Sequence, residues 1–569
     1  MPEMVNDYKI GSVVVKFMLV ATIAGVFVVL SGSLLLGYEQ CIHTLLSLFN
    51  KKEKKDFVFA IASRNLFINL QIYLVVLLIF CASLLWFLWE KLERGLVFLK
   101  GAVAAIPKEC LSFYRSMTQA ERSFAGCFLI VLILYRSYLM FMLPVNSDEL
   151  WMFQSYGKNN PLLSFFWYPL PSNHVLQTFV SRIFLYFLPY SIESMRVPVV
   201  LTGIVVVVLY CIIADTFIRN KKITLMSAML FTASAGVNTS LVYARGYAFI
   251  LFFTLLLMFF LLEIIRGNKN ASGNYVMVYL SIVAGFISVF SFAYNFVTVL
   301  VFFILYVVAK QRYYEAGKLI MVSLLSILTV LILYGPIIIV NGWNAVFIPS
   351  HSSEYLNTVL KDHIRIKIID WFIGIHEVAP VIMFLFALLP IVVWLVRKDG
   401  FSRMLLALSV FAMLVPWVIM FAHKVYPFGR MLNYIWIFVS IDVGLLLSSL
   451  KIRVYGWMLL IVLVLSIGIN EWVLKKGVFG KDIATGLHSE KIAEKLMEDN
   501  RKNVYFENSH YSMMAEYYYA KSGKPITFSY AKNDAVDAIV LSESTTPDAW
   551  MLDKYKLTYQ DNKIRIYTP

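Results

Sequence analysis

Apolar stretches long enough to cross a lipid bilayer recur along almost the whole chain, and they exclude most classes of fold. A membrane-spanning helix needs about 20 consecutive, mostly apolar residues, because each residue adds about 1.5 Å of rise. Hydrophobic residues make up 60% of the 569 residues, more than a soluble globular protein carries. The fold class that we predict is an all-α polytopic membrane bundle of about 13 transmembrane helices. The predicted spans are 10–37, 66–89, 123–143, 197–218, 223–241, 244–265, 274–291, 293–309, 316–340, 379–397, 402–422, 431–449 and 454–474.

The excess of basic residues fits a membrane protein better than a nucleic-acid-binding protein. Lys and Arg number 50 against 35 Asp and Glu, which gives a net charge of +15. Basic residues that flank apolar spans reflect the anionic headgroups and the positive charge of cytoplasmic loops. We therefore expect membrane lipids as partners and no nucleic acid.

The basic residues fall in every second short loop from residue 218 onward. The positive-inside rule assigns these loops to the cytoplasm, so the alternate segments are expected on the extracytoplasmic side. The basic loops are 219–222, 266–269, 310–318, 397–403 and 451–453. The segments expected outside are 144–196, 341–378, 423–430 and the tail after about residue 475.

The first 120 residues do not fit this alternation. The basic segment 51–55 would lie outside if 10–37 and 66–89 both cross the membrane. The basic stretch 91–122 is long enough to hold an amphipathic helix. We leave the topology of this part open. The chain divides into an N-terminal membrane appendage, a membrane core and a soluble domain, over 1–120, 121–475 and 476–569.

The predicted external loop 144–196 combines an acidic pair with two short helices. Asp148 and Glu149 come just after an apolar span. A short helix is predicted from Asp148 to about Phe153, with Ser147 or Asp148 as its N-cap. A second helix is predicted over 173–188, with its apolar face in lipid or against the bundle. Its polar face carries Asn173, His174, Gln177, Thr178, Ser181 and Arg182.

Hydropathy falls after about residue 475, where helices and strands are predicted to alternate. Ser489 is expected to cap the first helix and Gly523 to end the second. This pattern indicates a small C-terminal α/β domain, expected to be extracytoplasmic, which we interpret as a lid or docking module. The predicted helices are 489–500 and 510–524, and the predicted strands are 503–508, 537–543 and 563–568.

The order of these features resembles that of a known family. An acidic pair opens the first external loop, Arg245-Gly246-Tyr247 opens a later span, and Pro427-Phe428-Gly429-Arg430 lies in a late external loop. Over roughly residues 120–475 the chain is similar to GT-C integral-membrane glycosyltransferases of the family 39 and aminoarabinose-transferase type. It departs from them in the two N-terminal spans. Ser172-Asn173-His174 also stands where many relatives have His-Pro-Pro.

The resemblance implies an enzyme that moves a sugar from a polyprenyl-phosphate donor to a hydroxyl acceptor. The acceptor would be a lipid, a glycan or a protein, and the reaction a single displacement with inversion. The site would face the extracytoplasmic side of a bacterial-type cytoplasmic (inner) membrane. Asp148 and Glu149 are the candidate catalytic residues. Asp148 is favoured as the base, and Glu149 is expected to orient neighbouring groups or bind the acceptor. Arg430 is the first candidate for the donor phosphate, followed by Arg245, Lys424 and His423, and Tyr247, His174 and Asn173 are expected to bind substrate.

Simpler interpretations stay open for each of these residues. The acidic pair could simply complement a helix N-terminus, and Arg245 and Arg430 could anchor spans at the interface. His351, His363 and His376 share a loop, but their spacing is not that of a helical metal site. No cofactor is indicated, and a divalent metal is left open. As a function, the alternative is a transporter or flippase of lipid-linked glycans, with a glycan polymerase third.

Overall fold

The structure, a computed structural model, describes residues 2–48, 63–88, 92–157, 174–267, 271–341, 379–423, 429–450, 454–476, 478–529, 536–543, 545–560 and 564–569. The described part of the membrane region is helical throughout. Its helices are α1 (Pro2–Leu48), α2 (Arg64–Leu88), α3 (Leu92–Arg115), α4 (Gln119–Met142), α5 (Ser147–Met152), α6 (Val175–Phe187), α7 (Ile192–Ile218), α8 (Lys221–Ala233), α9 (Ala235–Ser240), α10 (Tyr247–Ile265), α11 (Ala271–Ser288), α12 (Phe290–Ala309), α13 (Tyr313–Asn341), α14 (Ala379–Val396), α15 (Gly400–His423), α16 (Ile435–Ser449) and α17 (Gly456–Lys476).

Each of the thirteen predicted spans coincides with a helix or, over 223–241, with the pair α8 and α9. Among the described helices, nine are long and apolar enough to cross a membrane by length and composition. The predicted class, a polytopic helical bundle with a small C-terminal α/β domain, is confirmed. The count of thirteen spans stays a prediction.

The centre of the bundle is formed by helices that are apolar on every side. Almost all of α10 is buried, and it packs between α7 and α11. A helix without a polar face has to be surrounded by protein or lipid, because no side of it can face water. By contrast, α1 and α2 expose many large apolar side chains, among them Leu35 and Trp86, as helices at the lipid boundary do.

The N-terminal part packs on the far side of α11. The helix expected within 91–122 is seen as α3, which contacts both α1 and α11. Gly273 of α11 permits this contact, since a methyl group there would lie 3.0 Å from Ala102 Cβ. The Tyr73 hydroxyl of α2 donates to the Ile332 carbonyl of α13 at 3.0 Å. Residues 51–55 lie outside the described residues.

The C-terminal domain is a mixed sheet with helices. Its elements are α18 (Val478–Glu498), β1 (Asn503–Phe506), α19 (Ser509–Lys521), β2 (Thr527–Ser529), β3 (Ala538–Ser542), α20 (Ala549–Lys554), β4 (Lys556–Gln560) and β5 (Ile564–Thr568). The strand order is β2-β1-β3-β5-β4, with β1 parallel to β2 and β3 and the remaining pairs antiparallel. The sequence missed β2, α20 and β4. Ser489 is not an N-cap, because α18 begins eleven residues earlier and continues through it.

The domain is docked on the short helix α5. One apolar cluster contains Leu150 of α5 and Phe153 of the π-helical turn Phe153–Gly157 that follows it, together with Met514 and Tyr517 from α19. Gly486 of α18 lies so close to Pro144 that an added methyl group would come within 2.7 Å of its Cβ. The domain therefore shares its core with the predicted loop 144–196, and α5 is held between the bundle and the domain.

Candidate active site

The acidic pair occupies the first turn of α5, and Asn146 caps that turn. The Asn146 side chain accepts a hydrogen bond from the Asp148 N–H at 2.9 Å, and the Asn146 N–H donates to Glu149 Oε2 at 3.2 Å. The sequence predicted Ser147 or Asp148 as the N-cap, and that prediction is wrong, because Asn146 is the N-cap. A reciprocal cap of this kind fixes where both carboxylates point.

Glu149 is completely buried and forms an ion pair with Arg196 of α7. Arg196 Nε donates to Glu149 Oε1 at 3.0 Å and Nη2 to Oε2 at 2.6 Å, which is the strong bidentate geometry. Glu149 Oε1 also accepts the Ala244 N–H at 2.5 Å. Since Ala244 immediately precedes Arg245, this carboxylate joins α5 to the segment that carries the predicted phosphate-binding residue.

Arg196 ties in the end of α4 as well. Its guanidinium donates to the carbonyls of Met140 at 2.7 Å, Leu143 at 2.8 Å and Pro144 at 3.1 Å. Every described contact of Arg196 and Glu149 is thus internal to the protein, which is the arrangement of a structural clamp.

Asp148 points the other way and meets two arginines. Its Oδ2 forms an ion pair with Arg245 Nη2 and lies 3.7 Å from Arg430 Nη2. The Asp148 side chain is 32% exposed, whereas that of Arg245 is almost completely buried. Two guanidiniums around one carboxylate leave an excess of one positive charge, so the cluster can accept a further anionic group.

Tyr247 holds the two arginines side by side. Its hydroxyl accepts a hydrogen bond from Arg430 Nε at 2.9 Å. The guanidinium carbons of Arg245 and Arg430 lie 5.3 and 5.5 Å from the centre of its ring. His174, just before α6, packs edge-to-face on the same ring at 5.4 Å. Four segments that are far apart in the sequence therefore converge at one site.

His174 is buried, and neither of its ring nitrogens has a side-chain partner among the described residues. Burial lowers the pKa of His174 well below its usual value, and the nearby charges of Arg245 and Arg430 lower it further. It is therefore a neutral imidazole at physiological pH, able to donate from one nitrogen and accept at the other.

The polar face of α6 turns inward beside His174, while Tyr186 and Phe187 on its other side are exposed. Gln177 Nε2 donates to Ser181 Oγ at 2.7 Å. Gln177 Oε1 and Thr178 Oγ1 are buried with no partner among the described residues. Since buried polar atoms are normally hydrogen-bonded, these atoms mark a place where a polar ligand would be stabilised.

Gly246 allows the Arg245–Tyr247 segment to approach its neighbours. A methyl group there would lie 2.5 Å from the Ser288 carbonyl oxygen and 2.6 Å from Val289 Cγ2. Both contacts are far shorter than van der Waals distances, so any side chain would push the segment off α11.

We expect Gly246→Ala to destabilise the protein by about 1–3 kcal/mol, the usual cost of overpacking a filled core. The midpoint of thermal unfolding in lipid nanodiscs measures this. The matched control is Gly317→Ala in α13, where an added methyl group meets nothing within 4 Å. A midpoint for Gly246→Ala equal to that of the control would refute the tight packing.

Arg430 is placed by the turn that precedes α16. It lies in the short helical turn Gly429–Leu432, and Asn433 directly follows that turn. The Asn433 amide donates to Gly236 O at 3.0 Å and to Ser240 Oγ at 2.6 Å, and so ties this turn to α9. Lys424 and Asn173 lie outside the described residues, and His423 ends α15 with a side chain that is not described.

The sequence analysis missed two buried arginines. Arg196 directly precedes a predicted span, a position typical of an arginine that anchors a helix at the membrane interface. No sequence pattern near Arg196 indicates its ion pair with Glu149. Arg136 lies inside the span 123–143, fully buried and with no hydrogen-bond partner among the described residues. A charged residue inside an apolar span was the signal that could have found it.

No cluster of three or more metal-ligating side chains occurs within the described ranges. The described residues of the site offer one accessible carboxylate, two guanidiniums, a tyrosine hydroxyl and a neutral imidazole.

No protein-family model matches the chain, and no curated protein matches it in sequence. Among solved structures it is similar to ArnT from Cupriavidus metallidurans. The apo form matches with a TM-score of 0.48 and 12% identity, over 79% of this chain and 98% of that one. The form bound to undecaprenyl phosphate matches with a TM-score of 0.45 and 12% identity, over 78% and 98%.

It is also similar to the archaeal oligosaccharyltransferase AglB from Archaeoglobus fulgidus, in complex with an inhibitory peptide and a dolichol-phosphate. The TM-score is 0.40 and the identity 12%, over 75% of this chain and 70% of that one. At these identities the similarity concerns the fold alone.

Proposed function

We propose that the protein is a membrane glycosyltransferase that transfers a sugar from a polyprenyl-phosphate donor to a hydroxyl group. The observation that carries this proposal is Asp148 set between Arg245 and Arg430, because it combines a base with a phosphate-binding pair. The site lies where the helical bundle meets the C-terminal domain, and we propose that this end is extracytoplasmic. A lipid-borne donor explains why such a site is built into a membrane bundle.

The proposed step is a single displacement at the anomeric carbon. The acceptor oxygen forms a bond to that carbon while the bond to the donor phosphate breaks, and the electron pair goes to the phosphate oxygen. The acceptor hydroxyl proton passes to Asp148. The leaving polyprenyl phosphate gains one negative charge, which Arg245 and Arg430 stabilise as it develops.

Donor binding also frees the base. A donor phosphate that draws one guanidinium toward itself loosens the ion pairing of Asp148 and leaves its carboxylate open to contact with the acceptor hydroxyl. Arg430 is the better candidate for this movement, since it lies 3.7 Å from Asp148 and is more exposed than Arg245.

His174, Gln177 and Thr178 are the proposed contacts of the donor sugar. They are neutral and buried, and each carries a donor or acceptor atom without a side-chain partner among the described residues. His174 packs on the Tyr247 ring, and Gln177 and Thr178 follow it on the same face of α6. Neutral polar groups suit hydroxyl groups of a sugar, whereas the charged pair suits the phosphate. Glu149 is proposed to position the site through Arg196 without taking part in proton transfer.

The binding of undecaprenyl phosphate to purified protein in lipid nanodiscs tests the phosphate site. We expect Arg430→Gln to weaken binding about 10- to 100-fold, because a hydrogen bond to a charged group contributes about 1.5–3 kcal/mol. Arg397→Gln is the matched control, since Arg397 is equally exposed and lies at the other end of α16, where it donates to Ser448 and Ser449. Equal affinities for both variants would exclude Arg430 from the phosphate site.

A transporter or flippase of lipid-linked glycans is the second candidate. Two observations favour it. Arg136 is a buried charge inside a span with no hydrogen-bond partner among the described residues, and a break separates α8 from α9, where transporters bind substrates at interrupted helices. A methyl group on Gly203 would lie 2.9 Å from Arg136 Nη1, which shows how tightly α7 encloses the guanidinium. Movement of lipid-linked sugar across vesicles without any sugar transfer would establish this alternative.

A further inference from the structure

A groove runs between the short helix α5 and the C-terminal domain, and no residue of the candidate active site lines it. Its volume is about 250 Å³. Phe153 and Gln154 from the turn that follows α5 form one wall. Tyr190 from the link between α6 and α7 forms the second, and α19 contributes Tyr517 and Lys521 as the third.

The walls combine aromatic rings with polar groups that are already held in place. The Phe153 ring lies 4.8 Å from that of Tyr190 and 5.9 Å from that of Tyr517. Gln154 Nε2 donates to Glu516 Oε2 at 3.1 Å, and Lys521 Nζ donates to Glu193 Oε1 at 2.9 Å. Phe153 and Tyr517 are buried, whereas the Tyr190 side chain stays 45% exposed and offers a ring to a ligand.

We propose that this groove binds a sugar unit of the acceptor, and that the acceptor is therefore a glycan. An aromatic ring packs against the C–H face of a sugar, while neighbouring amide and charged groups bind its hydroxyls. The proposal rests on the proposed function, since it names the acceptor class of the same reaction.

The walls suit a glycan better than a peptide or a lipid chain. An extended peptide is usually held through its main chain at a free sheet edge. Here the walls come from helices and a short link, and α5 and α19 bond their backbone groups internally. An acyl chain would need a continuous apolar lining, which Gln154 and the pair Lys521–Glu193 interrupt.

The position of the groove fits a subsite away from the reacting atoms. Phe153 follows Asp148 by five residues, a rise of about 8 Å along a helix, and it follows Glu149 by four, so the groove lies on the Glu149 side of this segment. A glycan that occupies the groove would reach Asp148 through further sugar units, and remote binding of this kind supports the reaction at the other end.

The test is the binding of disaccharides to full-length protein in nanodiscs prepared without glycoside detergents. The probes are maltose, cellobiose, lactose, mannobiose and chitobiose, measured by saturation-transfer NMR and calorimetry. We expect at least one to bind, with affinity about tenfold weaker in Tyr190→Ala and retained in Tyr190→Trp. The control is Tyr455→Ala, since Tyr455 is equally exposed at the other end of the bundle, next to α17.

The proposal is overturned if no disaccharide binds the wild type, or if Tyr190→Ala binds as well as Tyr455→Ala. Binding of a serine- and threonine-rich peptide in place of the sugars, lost in Tyr190→Ala, would also overturn it. This test is independent of catalysis, because Asp148→Asn is expected to bind the disaccharide normally. If the protein binds sugar through Tyr190 but never transfers sugar, the proposed transferase activity is refuted, whereas the proposed glycan-binding groove is supported.

Discussion

Replacing Asp148 by asparagine is expected to lower the rate of sugar transfer about 10²- to 10⁴-fold, the usual contribution of a general base. Asparagine keeps the shape of the side chain and its place in the first turn of α5, but it cannot take up the acceptor proton. The measurement is transfer from a panel of polyprenyl-phosphate sugars to crude envelope acceptors, with wild type and variant compared in nanodiscs.

The same variant is expected to bind undecaprenyl phosphate as tightly as the wild type or more tightly. Removing a negative charge next to Arg245 and Arg430 leaves both guanidiniums to the phosphate. The transfer rate should therefore fall while the affinity for undecaprenyl phosphate stays the same or rises. This combination distinguishes a general base from a residue that only stabilises the site.

Asp215→Asn is the matched control. It also removes a carboxylate from an ion pair, with Lys221 at 2.5 Å, but at the opposite end of the bundle. Transfer at the wild-type rate by Asp148→Asn would show that Asp148 only complements the helix N-terminus, and the base would have to be sought elsewhere.

Breaking the buried pair between Glu149 and Arg196 is expected to cost about 3–5 kcal/mol of folding free energy. Glu149→Ala leaves the Arg196 guanidinium buried without its counter-charge and the Ala244 N–H without its acceptor. The midpoint of thermal unfolding, followed by tryptophan fluorescence, should fall sharply. Binding of undecaprenyl phosphate should weaken too, because Arg245 directly follows Ala244.

The control for this variant is Lys475→Ala. Lys475 pairs with Glu471 at 3.2 Å, but its side chain is 72% exposed, so we expect a change of no more than about 1 kcal/mol. If Glu149→Ala unfolds at the wild-type temperature and loses only transfer, Glu149 acts in the reaction, as the resemblance first implied. Both losses together support the clamp.

The sequence predicted the parts of the candidate active site that depend on local order. The acidic pair just after a span, the Arg-Gly-Tyr element at the start of α10 and the arginine before α16 were each recognised beside a helix end. The structure brings Asp148, Arg245, Tyr247 and Arg430 together, with His174 against the tyrosine ring. The structure also distinguishes the two adjacent acids. Asp148 pairs with the arginines of the site, whereas Glu149 pairs with Arg196.

The sequence by itself determined the membrane class, the helices of the predicted spans and part of the alternation of strands and helices in the tail, because runs of apolar residues and turn signals act over a few residues. Only the tertiary structure decided which charges are paired and what the tail contacts. Arg196 pairs with Glu149, which is 47 positions away in the sequence, and Lys521 pairs with Glu193, which is 328 positions away. The packing of whole helices determines such pairs, and no local sequence pattern predicts them. The docking of α18 and α19 on α5, which creates the proposed glycan groove, has the same origin.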